Sequence, residues 1–175
     1  DTIHFCGLSL GGMTAQMFAT RYPERLDKLI LCATASYLNI PGVWDERRQT
    51  VLDQGIAVIV EPTLQRWFTE QGLAAMEAEI RHIRTGIETT PAAGYAACCI
   101  AIRDMDQRES NKQIRNPTLV IAGEFDPSTT VAAAEEIRDA IDGAELVVIP
   151  NSQHFLNVEK ADDFNHALLR FLQND

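Results

Sequence analysis

Three side chains in this sequence have the types and chain order that acyl-transfer chemistry needs: Ser9, Asp126 and His154. Ser9 is the centre of Gly7-Leu8-Ser9-Leu10-Gly11, a G-x-S-x-G pattern. A β-type run, Thr2–Cys6, precedes it and a helix-like run from about Gly11 to Tyr22 follows. Strand, tight Gly-flanked Ser, then helix is the setting of a nucleophile elbow, in which a strained turn points the hydroxyl outward. The flanking glycines are expected because side chains there would collide as strand and helix approach. A Ser hydroxyl is a weak nucleophile without a base, and the base needs a carboxylate to orient it. With an elbow of this kind the partners follow as Asp or Glu, then His.

Few histidines qualify as the base. His4 lies inside the strand before Ser9, His82 sits between Arg81 and Arg84 on a charged helical face, and His166 is mid-helix. His154 follows a predicted strand, Ala144–Ile149, in the loop Pro150-Asn151-Ser152-Gln153-His154-Phe155. Ligands and catalysis gather at the carboxyl ends of strands in open α/β sheets, so His154 is the candidate base; its plainer role would be to cap the last helix. The acid is sought in the same place. The predicted strand 117–122 runs into Gly123-Glu124-Phe125-Asp126-Pro127, where Glu124 and Asp126 compete. Asp126 lies deeper in the turn and Pro127 fixes the backbone after it, which favours Asp126; the plainer reading is an Asp-Pro turn former. Asp104, Asp106 and Asp162 have no strand-end context.

These residues imply a cycle. Ser9 Oγ attacks an ester or lactone carbonyl, His154 takes the proton and later activates water, and Asp126 holds the imidazole's tautomer. The backbone N–H of Leu10, at the helix start, donates to the developing oxyanion.

The elements needed to position them divide the chain into three zones. The first, 1–35, holds the strand and helix around Ser9 and a strand at Lys28–Cys32, whose Ile30-Leu31-Cys32 run suits a strand buried on both faces. The second, 36–113, has weak strand and strong helix signals, with helices expected at 44–55, 57–69, 73–88 and 91–103. The third, 114–175, returns to α/β, with helices expected at Thr130–Ile141 and Lys160–Gln173; Phe164, Leu168, Phe171 and Leu172 form one apolar stripe. The fold class is therefore α/β: a mostly parallel sheet, 1–35 with 114–175, carrying an all-helical lid insertion at 36–113.

Bulk properties narrow the partners. A chain of 175 residues can bury a sizeable core. A net charge of −10 disfavours nucleic acid and anionic membrane surfaces. There is no membrane-length apolar run. Cys6, Cys32, Cys98 and Cys99 show no metal or disulfide spacing and are expected to be reduced and to hold no metal, in a cytoplasmic protein. The expected partner is a small-molecule lactone or ester.

The chain resembles the α/β-hydrolase superfamily and, within it, the 3-oxoadipate enol-lactonases. The shared residues are Gly7-Leu8-Ser9-Leu10-Gly11-Gly12-Met13, Tyr22-Pro23-Glu24-Arg25-Leu26, Arg66-Trp67-Phe68-Thr69, Pro117–Gly123 and His154–Glu159. More particular to the lactonases are Gly94-Tyr95-Ala96-Ala97-Cys98-Cys99 and Ala101-Ile102-Arg103-Asp104-Met105-Asp106. The resemblance implies an α/β-hydrolase fold of which this chain is the C-terminal two-thirds. It also implies cofactor-free hydrolysis of 3-oxoadipate enol-lactone in the β-ketoadipate route of aromatic catabolism, with Ser9, Asp126 and His154 as triad. A second oxyanion donor would come from a loop after an earlier strand, outside this sequence. The same triad also serves esterases, carbon–carbon bond hydrolases and cofactor-free perhydrolases, and a non-catalytic binding member of the fold is the reading of another class.

The implied substrate carries a carboxylate, so a cation in the lid is expected to help. Arg103 is the candidate, against a surface pairing with Asp104 or Asp106. Trp44 is the candidate pocket wall, Trp67 and Phe68 are expected in the lid core, and Arg47 and Arg48 in solvent. The first strand's unpaired edge predicts self-association of this chain.

Overall fold

The computed structural model describes residues 1–38 and 40–173; Asn39, Asn174 and Asp175, which the expected zones include, lie outside the described residues. In chain order the elements are β1 (Ile3–Leu8), α1 (Leu10–Arg21), β2 (Leu26–Cys32), α2 (Val43–Gln54), α3 (Val60–Trp67), α4 (Glu70–Ala75), α5 (Glu77–Glu88), α6 (Ala92–Asp104), α7 (Arg108–Asn111), β3 (Thr118–Gly123), α8 (Val131–Ala140), β4 (Glu145–Ile149), α9 (Leu156–Glu159) and α10 (Ala161–Gln173). Short 3-10 turns lie at Pro23–Arg25 and Ile56–Ile59. The chain divides into two compact units, residues 1–36 with 106–175, and Tyr37–Met105.

The first unit is built on a four-stranded sheet in the order β1-β2-β3-β4, every neighbouring pair parallel. Parallel neighbours need crossover connections, which the helices supply. The strands are in register along a row Leu8, Cys32, Ile121 and Val147, so their carboxyl ends share one edge. Both faces are covered. On one, Ala15 and Ala19 of α1 and Ala134 and Ile137 of α8 pack on Leu29, Leu31 and Val120. On the other, Phe164, Ala167 and Phe171 of α10 pack on Ile30, Cys32, Leu119 and Ile121. The two central strands are therefore apolar on successive residues, the pattern of a strand buried on both sides. Lys28 sits on the sheet at the foot of α10, where its ammonium donates to the carbonyls of Phe171 and Leu172 and complements the helix's negative end. β1 has a partner only in β2 among the described residues, and Ile3 on it is 48% exposed.

Residues 106–113 belong to this unit rather than to the helical one. Gln107 is the reason: its N–H donates to Ser36 O (2.8 Å) and its side-chain amide to Met13 O (3.0 Å). Asn111 continues the buried polar group by donating to Gln16 Oε1 (2.6 Å).

The second unit is all helical. Gly42 and Gly55, with φ of 77° and 82°, bracket α2 in backbone that favours glycine. Phe68 is buried with Val51, Leu64, Ile80, Ile87, Ala96 and Cys99, while Trp67 is half-buried. Two expected helices are divided. The stretch 57–69 opens as a 3-10 turn before α3, and 73–88 is broken at Met76 (φ −118°, ψ 50°) between α4 and α5. Thr69 caps α4 by accepting from Gly72 N–H (3.0 Å).

Candidate active site at the carboxyl edge of the sheet

Ser9 joins the last residue of β1 to the first of α1 with φ 54° and ψ −116°. That conformation is costly for a residue with a Cβ. It is held from both sides. Ser9 N–H donates to Cys32 O of the neighbouring strand (2.9 Å), and Ser9 O accepts from Met13 N–H (3.0 Å) and Thr34 Oγ1 (2.8 Å). Ser9 occupies the N-cap of α1, yet its hydroxyl makes no capping bond, although a Ser there usually caps. Its Oγ is thus not spent on the helix. Leu10 is the first residue of α1, where N–H groups have no partner inside the helix.

The glycine requirement is more selective than expected. A Cβ on Gly7 would stand 2.3 Å from Gly11 O, and one on Gly12 would stand 2.7 Å from the Thr34 side chain. A Cβ on Gly11, the second glycine of the pattern, meets nothing within 4 Å. Gly7, where strand and helix backbones approach, and Gly12, against the Thr34 side chain beyond β2, are the positions too close for a side chain.

Asp126 and His154 follow β3 and β4 and meet directly: His154 Nδ1 lies 2.7 Å from Asp126 Oδ2, with 5% and 0% of the side chains exposed. The loops that bring them together are interlocked. Glu124 N–H donates to Ile149 O and Phe125 N–H to Ser152 O. A Cβ on Gly123 would stand 2.3 Å from Gln153 O, so the His154 loop lies directly on a glycine. Glu124, the competing acid, instead accepts from Asn151 N–H (2.8 Å), where Asn151 has φ 51°. Ser152 is fully buried and donates to Ile149 O, and Glu159 accepts from Gln153 N–H. The loop is thus held by the backbone N–H groups of Asn151 and Gln153 and by the Ser152 hydroxyl.

Sequence reasoning missed Thr129. Its hydroxyl donates to Asp126 Oδ2 (2.7 Å) and stands 3.3 Å from His154 Nδ1. Asp126 Oδ1 accepts from the N–H groups of Ser128 and Thr129 (2.7 and 3.1 Å). The signal was the Asp126-Pro127-Ser128-Thr129 order, since Asp side chains bond the backbone two residues on. Burial alone would raise the Asp126 carboxyl. The hydrogen bond and attraction of His154 and the bonds from Thr129 outweigh it and hold the carboxyl below the ordinary range. A buried carboxylate so fixed can orient an imidazole and stabilise its cation.

The structure joins Asp126 to His154 and places Ser9 at the same sheet edge; the Ser9 side chain makes no hydrogen bond among the described residues. The other histidines are elsewhere: His4 is 3.5 Å from Asp27, and His82 and His166 are exposed. Among the described residues no group of three or more His, Cys, Asp or Glu is placed to hold a metal ion, and no helix is long and apolar enough to cross a membrane.

A model of the alpha/beta hydrolase fold family matches residues 1–161. The chain belongs to that family. Among curated family members it is similar to 3-oxoadipate enol-lactonase 2 of Acinetobacter baylyi, with 37% identity over 164 residues, 94% of this chain and 61% of the relative. 3-Oxoadipate enol-lactonase 1 of the same organism is 30% identical over 174 residues, covering 99% and 65%. Among solved structures, the enol-lactonase from Burkholderia xenovorans LB400 superposes with a TM-score of 0.96 at 34% identity, covering 99% of this chain and 66% of that one. A thermophilic esterase from Thermogutta terrifontis, solved with malate bound, gives 0.90 at 29% identity, covering 98% and 65%. The chain spans 61–66% of the length of these relatives.

In the helical unit, Trp44 Nε1 donates to Leu38 O (2.6 Å). Arg103, the expected cation, is held by Asp45 (2.6 Å) and Asp104 (2.7 Å), which raise its pKa through hydrogen bonds and charge. A guanidinium already shared by two carboxylates has little to offer a third; its surface pairing was the plainer expectation, and Asp45 adds a partner from another helix. Arg47, expected in solvent, is half-buried with its guanidinium 4.8 Å from the Trp44 ring centroid.

Proposed function

We propose that this protein hydrolyses a carboxylic ester or lactone with Ser9 as nucleophile, His154 as base and acid, and Asp126 as its orienting carboxylate. The observation that carries the reading is the buried Asp126–His154 pair, 2.7 Å apart, at the strand ends that also present Ser9. Ser9 Oγ bonds to the carbonyl carbon as its proton passes to His154 Nε2. The tetrahedral oxyanion accepts from Leu10 N–H, where losing a donor of this kind costs about 3–4 kcal/mol. Its collapse breaks the ester C–O bond, and His154 returns the proton to the departing oxygen. Water then attacks the acyl-enzyme by the same route in reverse, freeing Ser9. No cofactor enters.

The substrate favoured by the resemblance is 3-oxoadipate enol-lactone, opened to 3-oxoadipate in aromatic catabolism, with Tyr37–Met105 as the lid and Trp44 as a wall of the pocket. Four cysteines without a disulfide support a cytoplasmic setting. The test is the lactone hydrolysis rate of the complete protein beside its Ser9→Ala variant. Fast turnover lost in the variant supports both nucleophile and substrate. Cleavage of aryl esters but not of the lactone keeps the triad and discards the lactonase assignment, leaving the esterase reading that the Thermogutta relative favours. Failure of Ser9 to react with a fluorophosphonate would instead support a binding protein on this fold.

A further inference from the structure

We infer that Thr34 is a positioning residue for hydrolysis: by holding the Ser9 carbonyl, its hydroxyl aims the Leu10 N–H at the developing oxyanion. The inference rests on the hydrolase reading above.

Ser9 C=O and Leu10 N–H belong to one peptide group. The group is planar and trans, so its carbonyl and its N–H point in opposite directions within one plane. Whatever fixes Ser9 O therefore also sets the direction of Leu10 N–H. Ser9 O accepts from two donors, Met13 N–H (3.0 Å) and Thr34 Oγ1 (2.8 Å). The first is the ordinary bond of the opening turn of α1, and it already satisfies the carbonyl. The second comes from a side chain 25 residues away. A single bond leaves the peptide plane free to tilt about it, whereas two bonds from different directions fix it. Donation to the carbonyl also polarises the peptide and strengthens the N–H at its other end.

Thr34 is itself held for this contact. Among the described residues only Ser9, Ala33 and Asn151 combine a side chain with a positive φ. Ala33, with φ 42°, follows the last residue of β2 and donates its N–H to Ile121 O (2.8 Å). It turns the chain beside Ser9, whose own N–H bonds Cys32 O. Strain of this kind persists only where the surroundings over-determine it, and it gathers at functional sites. The turn delivers Thr34 onto α1, where a Cβ on Gly12 would stand 2.7 Å from Thr34 Cβ and Cγ2. The absent side chain of Gly12 is thus the room that Thr34 occupies. On the far side of Thr34, Ala35 O accepts from Gln16 Nε2 of the same helix (3.2 Å). Threonine hydroxyls commonly bond backbone of their own segment; this buried one reaches the nucleophile's peptide instead.

The test uses the complete protein and 4-nitrophenyl butyrate. Thr34→Val keeps the shape of the side chain and removes the donor. Its kcat is expected to fall about tenfold with KM nearly unchanged, since outright loss of an oxyanion donor costs about 10²–10³ and a misaimed one costs part of that. Thr34→Ser, which keeps the donor, restores the rate. A trifluoromethyl ketone, whose carbonyl carbon takes Ser9 Oγ while the proton passes to His154, carries its oxyanion at the same place. It should bind Thr34→Val more weakly by the same factor. The acid limb of the kcat–pH profile stays in place, because Thr34 does not touch Asp126 or His154. A lower urea midpoint with kcat and inhibitor affinity within about twofold of native would be a structural role only, and overturns the inference. Protein labelled with 15N-leucine and 13C-serine reads the Ser9–Leu10 peptide without turnover. Its amide resonance is expected to move in Thr34→Val and in the smaller Thr34→Ala, and to return in Thr34→Ser. An unmoved resonance overturns the inference whether or not an ester is cleaved. Absence of any Ser9-dependent cleavage by the native protein is the separate failure of the hydrolase reading.

Discussion

The Cα of Gly123 lies so close to Gln153 that a Cβ there would stand 2.3 Å from the Gln153 carbonyl oxygen. Backbone cannot yield as a flexible side-chain tip can. Gly123→Ala is therefore expected to push the 151–155 loop away and to separate His154 from Asp126. Overpacking of this kind costs about 1–3 kcal/mol. Turnover should fall further than stability does, and paired measurement of kcat and urea midpoint checks it; equal, small losses would show the loop to be more compliant than its hydrogen bonds imply.

Ser9 holds φ 54° and ψ −116°, a conformation that Gly adopts far more readily than Ser or Ala. Both Ser9→Ala and Ser9→Gly should lack turnover. Ser9→Gly should be the more stable of the two by about 1 kcal/mol, since relief of strain exceeds the extra chain entropy that Gly loses on folding. Chemical denaturation of the two variants decides it, and a less stable Gly variant would mean the elbow stores little strain.

Asp126 has its carboxyl held below the ordinary range despite burial. The folded state thus favours the ionised form more than the unfolded chain does. The stabilisation is complete above the unfolded value near about 4 and is lost as pH falls through the lower, folded value. Stability of the native protein should decline over this acid window, and Asp126→Asn, less stable at neutral pH, should show a shallower decline. Denaturation midpoints across the window measure both slopes; parallel slopes would remove Asp126 as a contributor.

Thr129 bonds the Asp126 oxygen that faces His154. In Thr129→Val that oxygen loses a hydrogen bond of a charged type, worth roughly 1.5–3 kcal/mol. The Asp126 carboxyl should rise, and the acid limb of the kcat–pH profile should move to higher pH with a loss of about tenfold in rate. Thr129→Ser should restore the native limb. A purely structural role would lower stability in Thr129→Val without displacing the limb.

β1 pairs along one side only among the described residues. The isolated chain of residues 1–175 is expected to self-associate, with sedimentation coefficients that rise with concentration, and Ile3→Lys should weaken that association. A monomer at every concentration would contradict this.

What was legible in the sequence follows from how the information is encoded. Ile30-Leu31-Cys32 read as a doubly buried strand because a parallel sheet needs apolar residues on both faces, and Pro117–Ala122 read as a strand. Positions just beyond the strands at Pro117–Ala122 and Ala144–Ile149 marked Asp126 and His154, which the structure brings into contact. The break at Met76 was not legible: Ala74-Ala75-Met76-Glu77 are all good helix formers, and only packing interrupts them. Nor were the arginine environments. Arg103 meets Asp45 across two helices, and no local pattern reports a partner so distant in the chain. Gly11 errs the other way, since its place in the G-x-S-x-G pattern overstates its steric need while Gly12 carries it.

β2 and β3 pair in register, Leu29 with Thr118 through Cys32 with Ile121, although the whole helical unit is strung between them. Closing so long a loop carries an entropic cost that rises only logarithmically, each doubling of length adding about 0.6 kcal/mol. The sheet is therefore nearly indifferent to how much chain is inserted at that point. A lineage, or an engineer, can exchange this insert for a longer, shorter or differently packed one at small thermodynamic expense, while the strand pairing on either side of it descends unchanged.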